Sequence, residues 1–113
     1  MTVTIKGTNL DLTPALKRYA MNKALALLKF FPSITIARIE LERTTKHHRK
    51  GVVWRAEANL KAPQHLFRAE AFAGDIYSAI DMLVDELKRE LRALKGRRLD
   101  AVRRARNTKN KER

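Results

Sequence analysis

The chain contains no cysteine, which excludes disulfides, thiolate metal sites and thiol catalysis. No apolar run approaches the roughly 20 residues needed to span a bilayer. The first residues, Met1 to Gly7, show no basic segment followed by an apolar block, so no signal peptide is expected. The lack of cysteine fits a reducing, cytoplasmic location. The Gly-rich phosphate loop, the GxSxG elbow and the HExxH zinc pattern are all missing. With only four glycines and three prolines, there is no low-complexity linker, and no internal repeat is found. Acidic residues are scarce as well: 12 Asp and Glu stand against 25 Lys and Arg.

That imbalance is the first positive signal. A formal charge of +13 and a pI near 10.8 point to a polyanionic partner, nucleic acid above all, with a membrane surface as the competitor. At 113 residues the chain makes one domain. The cations are not spread evenly, since 12 of the 25 lie from Lys88 onward against three acids. We therefore divide the chain into an α+β domain over residues 1–96 and a basic C-terminal tail over 97–113, helical in part to about Arg106.

Local patterns predict the elements. Val3 and Ile5 alternate with polar neighbours in a short first strand that ends at Gly7. Thr13-Pro14 is an N-cap followed by proline at the first helical position, and Leu16, Tyr19, Ala20, Ala24 and Leu27 form an apolar stripe to about Phe30. Phe31-Pro32-Ser33 breaks that helix. Ile34 to Arg43 reads as a strand in which Ile34 and Ile36 keep one phase and Ile39 and Leu41 the other, so a bulge is expected near Ala37-Arg38. After a basic loop from Thr44 to Gly51, Val52 to Lys61 alternate cleanly, a turn follows at 62–65, and Phe67, Ala69 and Ala71 mark a last strand. The outward positions of the sheet, among them Thr4, Lys6, Arg55, Asn59 and Arg68, are expected in water, with Trp54 inward.

From Gly74 to Lys95, apolar residues Ile76, Ile80, Leu83, Val84, Leu87, Leu91 and Leu94 recur at helical spacing. Asp75 occupies the N-cap position and Gly96 the expected stop. Acids fill the first half and Lys88, Arg89, Arg92 and Lys95 the second, an order that suits the helix dipole. The whole is β-α-β-β-β-α: a four-stranded sheet with strands one and two parallel, the rest a meander, and two helices on one face. Such an arrangement resembles the double-stranded-RNA-binding domain, which reads shape and backbone.

Catalysis finds little support. His47-His48 is the one histidine pair, and adjacent loop residues seldom converge on a metal or a proton, so a solvated basic loop is the default there. No enzyme activity, cofactor, metal or small-molecule substrate is expected. Lys88, Arg92 and Lys95, at i, i+4 and i+7, instead form a cationic stripe beside the apolar face, with Tyr77 on the same flank. Lys23 lies within the first helix's apolar stripe, either snorkelling to water or held as a cation at a groove beside the second helix.

The run Asp75-Ile76-Tyr77-Ser78-Ala79-Ile80-Asp81, continuing through Leu83, Leu87, Leu91 and Lys95, resembles the signature second helix of the ribosome hibernation-promoting factor and ribosome-associated inhibitor A (protein Y) family, short form. Gly7, Leu12 to Leu16, Lys23, Leu27, Phe31 and Ile34 extend the similarity, which covers roughly residues 1–97. It implies binding to the small ribosomal subunit in the mRNA and tRNA channel, inhibition of translation and preservation of idle ribosomes under stress. Carried over by position, Lys23, Lys88, Arg89, Arg92 and Lys95 would contact rRNA, with Arg97 and Arg98 extending the footprint. The chain is expected to be monomeric off the ribosome and to have no membrane partner. It departs from the family in Ala26, where a lysine is common, in a basic rather than acidic tail, and in the cationic loop at 44–51. A general double-stranded-RNA-binding or ribosome-assembly module is the alternative.

Overall fold

The structure, a computed structural model, describes residues 2–45 and 53–111, with side chains as far as residue 96. Strand β1 (Thr2–Thr8), helix α1 (Pro14–Phe30), strands β2 (Ile36–Thr44), β3 (Val53–Ala62) and β4 (His65–Ala73), and helix α2 (Ile76–Lys111) follow in the expected order. One sheet runs β1-β2-β3-β4, its first pair parallel and the other two antiparallel. The His47-His48 loop lies outside the described residues.

The helix starts follow their local chemistry. Thr13 Oγ1 accepts from the Leu16 N–H at 3.2 Å, with Pro14 at the first helical position. Asp75 accepts from the Ser78 N–H at 2.9 Å and the Ser78 hydroxyl at 2.6 Å. The hydroxyl and then the amide hold the Asp75 carboxyl below its ordinary range. Each cap satisfies a donor that the first turn would otherwise leave unpaired.

In register, Val3, Ala37, Leu60 and Phe67 lie in one row across the four strands, and Ile5, Ile39, Ala58 and Ala69 in the next. These positions share one core with the apolar faces of both helices. Small and large residues divide between the layers. Ala37, Ala56, Ala58, Ala69 and Ala71 floor the sheet, while Leu27, Leu28, Leu83, Leu87 and Leu91 fill from the helices, all of them buried.

Three expectations are corrected. The β2–β3 register runs without interruption from Ile36 to Thr44, so there is no bulge at Ala37-Arg38. Ile34 precedes the strand and is buried on its own account; the inward alternation starts only at Ala37. Gly96 does not stop α2, which continues to Lys111 for a total of 36 residues. Glycine costs a helix only about 1 kcal/mol relative to alanine, and the helix formers around Gly96 outweigh that.

The third correction concerns the open face of the sheet. Glu40, Glu57 and Glu70 stand directly opposite one another on β2, β3 and β4, a row of like charges that would repel. Arg55 resolves it. Its guanidinium donates from Nε to Glu70 at 2.6 Å, from Nη1 to Glu40 at 3.1 Å and Glu42 at 3.3 Å, and from Nη2 to Glu57. The side chain is only 12 % exposed, so Arg55 is caged rather than free in water. Burial disfavours its charge, but the hydrogen bonds to Glu70 and Glu40 prevail and raise its pKa above the ordinary arginine value.

Gly96→Ala tests the continuous helix. A Cβ at that position meets nothing within 4 Å, so the substitution should stabilise by up to about 1 kcal/mol and raise far-UV helicity; a left-handed cap would instead lose stability. For Arg55→Leu, denaturant unfolding at pH 7 should show a loss of about 3 kcal/mol, because the buried Glu57 and its half-buried neighbours lose their counter-charge. The pH dependence separates the two proteins. In the parent, the Thr8 hydroxyl and then Arg55 hold Glu40 below its ordinary 4.5. Its contribution is complete above that pH and lost as pH falls through the lower folded value. In the variant Glu40 loses Arg55's share of that lowering and so has less to lose in acid, and the deficit should shrink as pH falls below about 4.5.

Candidate nucleic-acid interface

Two helix flanks face each other across a groove. On α1 the flank is Tyr19, Lys23 and Phe30, at i, i+4 and i+11; on α2 it is Tyr77, Asp81, Lys88, Arg92 and Lys95. Contacts between them rise together along both chains, so the helices run parallel. The Tyr19 and Tyr77 rings meet edge to face, with centroids 4.9 Å apart. One turn on, Asp81 accepts from the Tyr19 hydroxyl at 2.5 Å and pairs with the Lys23 ammonium at 3.7 Å. At the far end, the cations of Lys95 and Arg92 lie 4.8 Å and 5.8 Å from the Phe30 ring centroid.

This geometry settles what Lys23 touches. It is half-buried, with its ammonium between Asp81 and the Tyr19 ring, whose centroid is 5.4 Å away. It is therefore a cation at the groove, not one reaching past the stripe into bulk water. The hydrogen bond from Tyr19 to Asp81 is the main reason the Tyr19 phenol stands above its ordinary pKa of 10.0.

The ends of the groove differ in sign. Asp75 and Asp81 occupy the end where the helices begin. Lys88, Arg92 and Lys95 occupy the end where α1 stops. Lys95 also donates to the Phe30 carbonyl at 3.4 Å, complementing the negative end of the α1 dipole. Phe30 was not singled out from the sequence, yet it supports two of the stripe's cations. Its i+11 spacing from Tyr19 places it on the same flank, but nothing in the sequence says which flank faces α2.

Arg89 belongs elsewhere. It pairs with Glu86 at 3.2 Å and lines a cleft between α2 and β4 that includes Arg68, Glu70 and Met82. The structure does not bring it together with Lys88, Arg92 and Lys95. In the same cleft, burial and then Glu86 raise the Glu90 pKa. Arg97 and Arg98 continue the helix in backbone; their side chains lie outside the described set. Among the described residues, no group of His, Asp and Glu is arranged to hold a metal ion, and no helix is long and apolar enough to cross a membrane.

A family model described as Sigma 54 modulation protein / S30EA ribosomal protein matches residues 3–99, spanning both helix flanks and the whole sheet. The chain belongs to this family. Its relatives include a protein from Acidithiobacillus ferridurans named ribosome hibernation promoting factor, 35% identical over 81 residues, covering 72% of this chain and all of that one. The ribosome hibernation promotion factor of Deinococcus radiodurans is 33% identical over 94 residues; the match takes in 82% of this chain and 48% of that longer protein. Among solved structures, the N-terminal domain of Thermus thermophilus Protein Y is similar with a TM-score of 0.69 and 28% identity, covering 83% of this chain and 99% of that one. A ribosomal subunit interface protein from Coxiella burnetii shares the fold with a TM-score of 0.73 at 24% identity, covering 85% and 99% respectively.

The Tyr19–Asp81 link can be checked directly. In Asp81→Asn, the loss of the carboxylate should let Tyr19 titrate at lower pH than in the parent, read as phenolate absorbance.

Proposed function

We propose that this chain is a non-enzymatic ribosome hibernation factor. It binds the small ribosomal subunit in the mRNA and tRNA channel through rRNA backbone contacts, inhibits translation and preserves idle ribosomes. The observation that carries this is the interhelical groove, where Lys23, Lys88, Arg92 and Lys95 from two elements border one surface. Membership in a family with relatives named for ribosome hibernation supports it. On this reading residues 1–96 form the ribosome-binding unit, and Arg97, Arg98 and the rest of the basic segment to 113 extend its reach. The protein acts in the cytoplasm and is monomeric off the ribosome. Arg89, exposed and paired with Glu86, contributes by long-range attraction rather than by a shared contact surface.

Phosphate contacts dominate such binding, so affinity falls steeply with salt. The double variant Lys88→Glu, Arg92→Glu should stop sedimenting with small subunits at moderate salt while keeping the parent's circular dichroism. Its log–log salt dependence should be shallower by about 1.4–1.8, the share of two lost phosphate contacts. Unchanged co-sedimentation would remove the stripe as the contact. A generic RNA duplex that competes as well as ribosomes do would favour the general RNA-binding module instead.

A further inference from the structure

Beyond the N-terminal ends of both helices the groove opens into a broad, open cleft of about 1000 Å³. Asn9 and Asp11 of the β1–α1 connector, Arg43 and Trp54 at the end of the sheet, and Gly74 and Tyr77 at the start of α2 line it. Trp54 follows the inward alternation of β3, yet it is only half-buried. Its row partners are Arg43 and Ala73. The Arg43 guanidinium sits 6.0 Å from the centroid of the Trp54 ring, and the part of Trp54 left exposed lines the cleft. Tyr77 is 41% exposed, its ring braced edge-on by Tyr19.

We propose that this cleft takes an unpaired nucleobase, stacked on Trp54 or Tyr77, from the RNA strand whose backbone lies on the Lys88, Arg92 and Lys95 stripe. The proposal rests on the RNA reading of the groove and adds a second contact of different chemistry. Phosphate is disfavoured here. Asp11 lines the cleft together with Arg43, whose guanidinium is turned to the Trp54 ring, and the start of α2 is already capped by its own carboxylate. A planar, uncharged heterocycle with N–H donors matches what remains: two aromatic faces, the Asp11 carboxylate and the Asn9 amide. Tyr77 and Lys88 are 11 residues apart on one helix, about 16 Å, so a single short strand can reach both.

Trp54 is the chain's one tryptophan, so its emission reports the cleft alone. Titration with a short single-stranded oligoadenylate at low salt should give saturable quenching, and polyphosphate of matched charge should give none. Tyr77→Leu keeps an apolar contact with Tyr19 but removes the stacking face, and should weaken the quenching affinity by about five- to hundredfold; Tyr77→Phe should restore it. Equal quenching by polyphosphate, or a Tyr77→Phe variant as weak as Tyr77→Leu, would overturn the base site. Absence of quenching while the parent still sediments with ribosomes would overturn this site and leave the ribosome reading standing. Saturable quenching in a protein that fails to sediment with ribosomes would support the site and remove that reading.

Discussion

Alanine floors the sheet where α2 crosses β3 and β4, and its small volume decides how near the helix can come. With Ala56, Ala58, Ala69 and Ala71 below it, α2 seats Leu83, Leu87 and Leu91 at almost no exposure. Helix α1 lies alongside it, over β1. The parallel β1–β2 pair requires α1 to return the chain across the face, and the side-by-side parallel helices follow. The groove is thus a product of core packing. Its polar residues occupy the seam where two apolar stripes end.

That origin accounts for the mixed duties of the groove residues. Asp81 ties Tyr19 and Lys23 of α1 to α2, and Lys95 closes the last turn of α1. Each is a structural contact and part of a charged surface at once. A side chain already held by a ring or a carbonyl loses less freedom on meeting a ligand than one waving in solvent. Phe30 serves this purpose for Arg92 and Lys95 by holding the cations against its face.

Much of the fold was legible because local signals agreed with one another. Thr13-Pro14 and Asp75 carry their own capping chemistry, and Val3, Ile5 and the Trp54 to Leu60 run alternate as strands must. The misread places are those where the deciding partner is remote. Ile34 is apolar for a reason unrelated to the strand after it, so its phase misled. Gly96 is a weak break whose outcome depends on its neighbours. Arg55 alternates outward like any solvated residue, and only the register reveals three glutamates in line around it. The cationic stripe on α2 was visible from spacing alone. The opposing flank with Phe30 and the separate placement of Arg89 needed the packing.

The Arg55 cage also shapes how the protein meets a partner before any contact forms. Four glutamates around Arg55, with Arg68 reaching Glu57 at 3.4 Å, leave the middle of the open sheet face short of positive charge in a molecule of +13. Lys88, Arg92 and Lys95 stand together at the end of the groove on the other face, where α1 stops. Between these two patches the molecule carries a difference of charge across its sheet. In the field of a polyanion it experiences a torque as well as a pull, and turns its helices forward while still a Debye length away. Orientation is thus partly complete at encounter, and the share of collisions that succeed depends on ionic strength as well as on affinity.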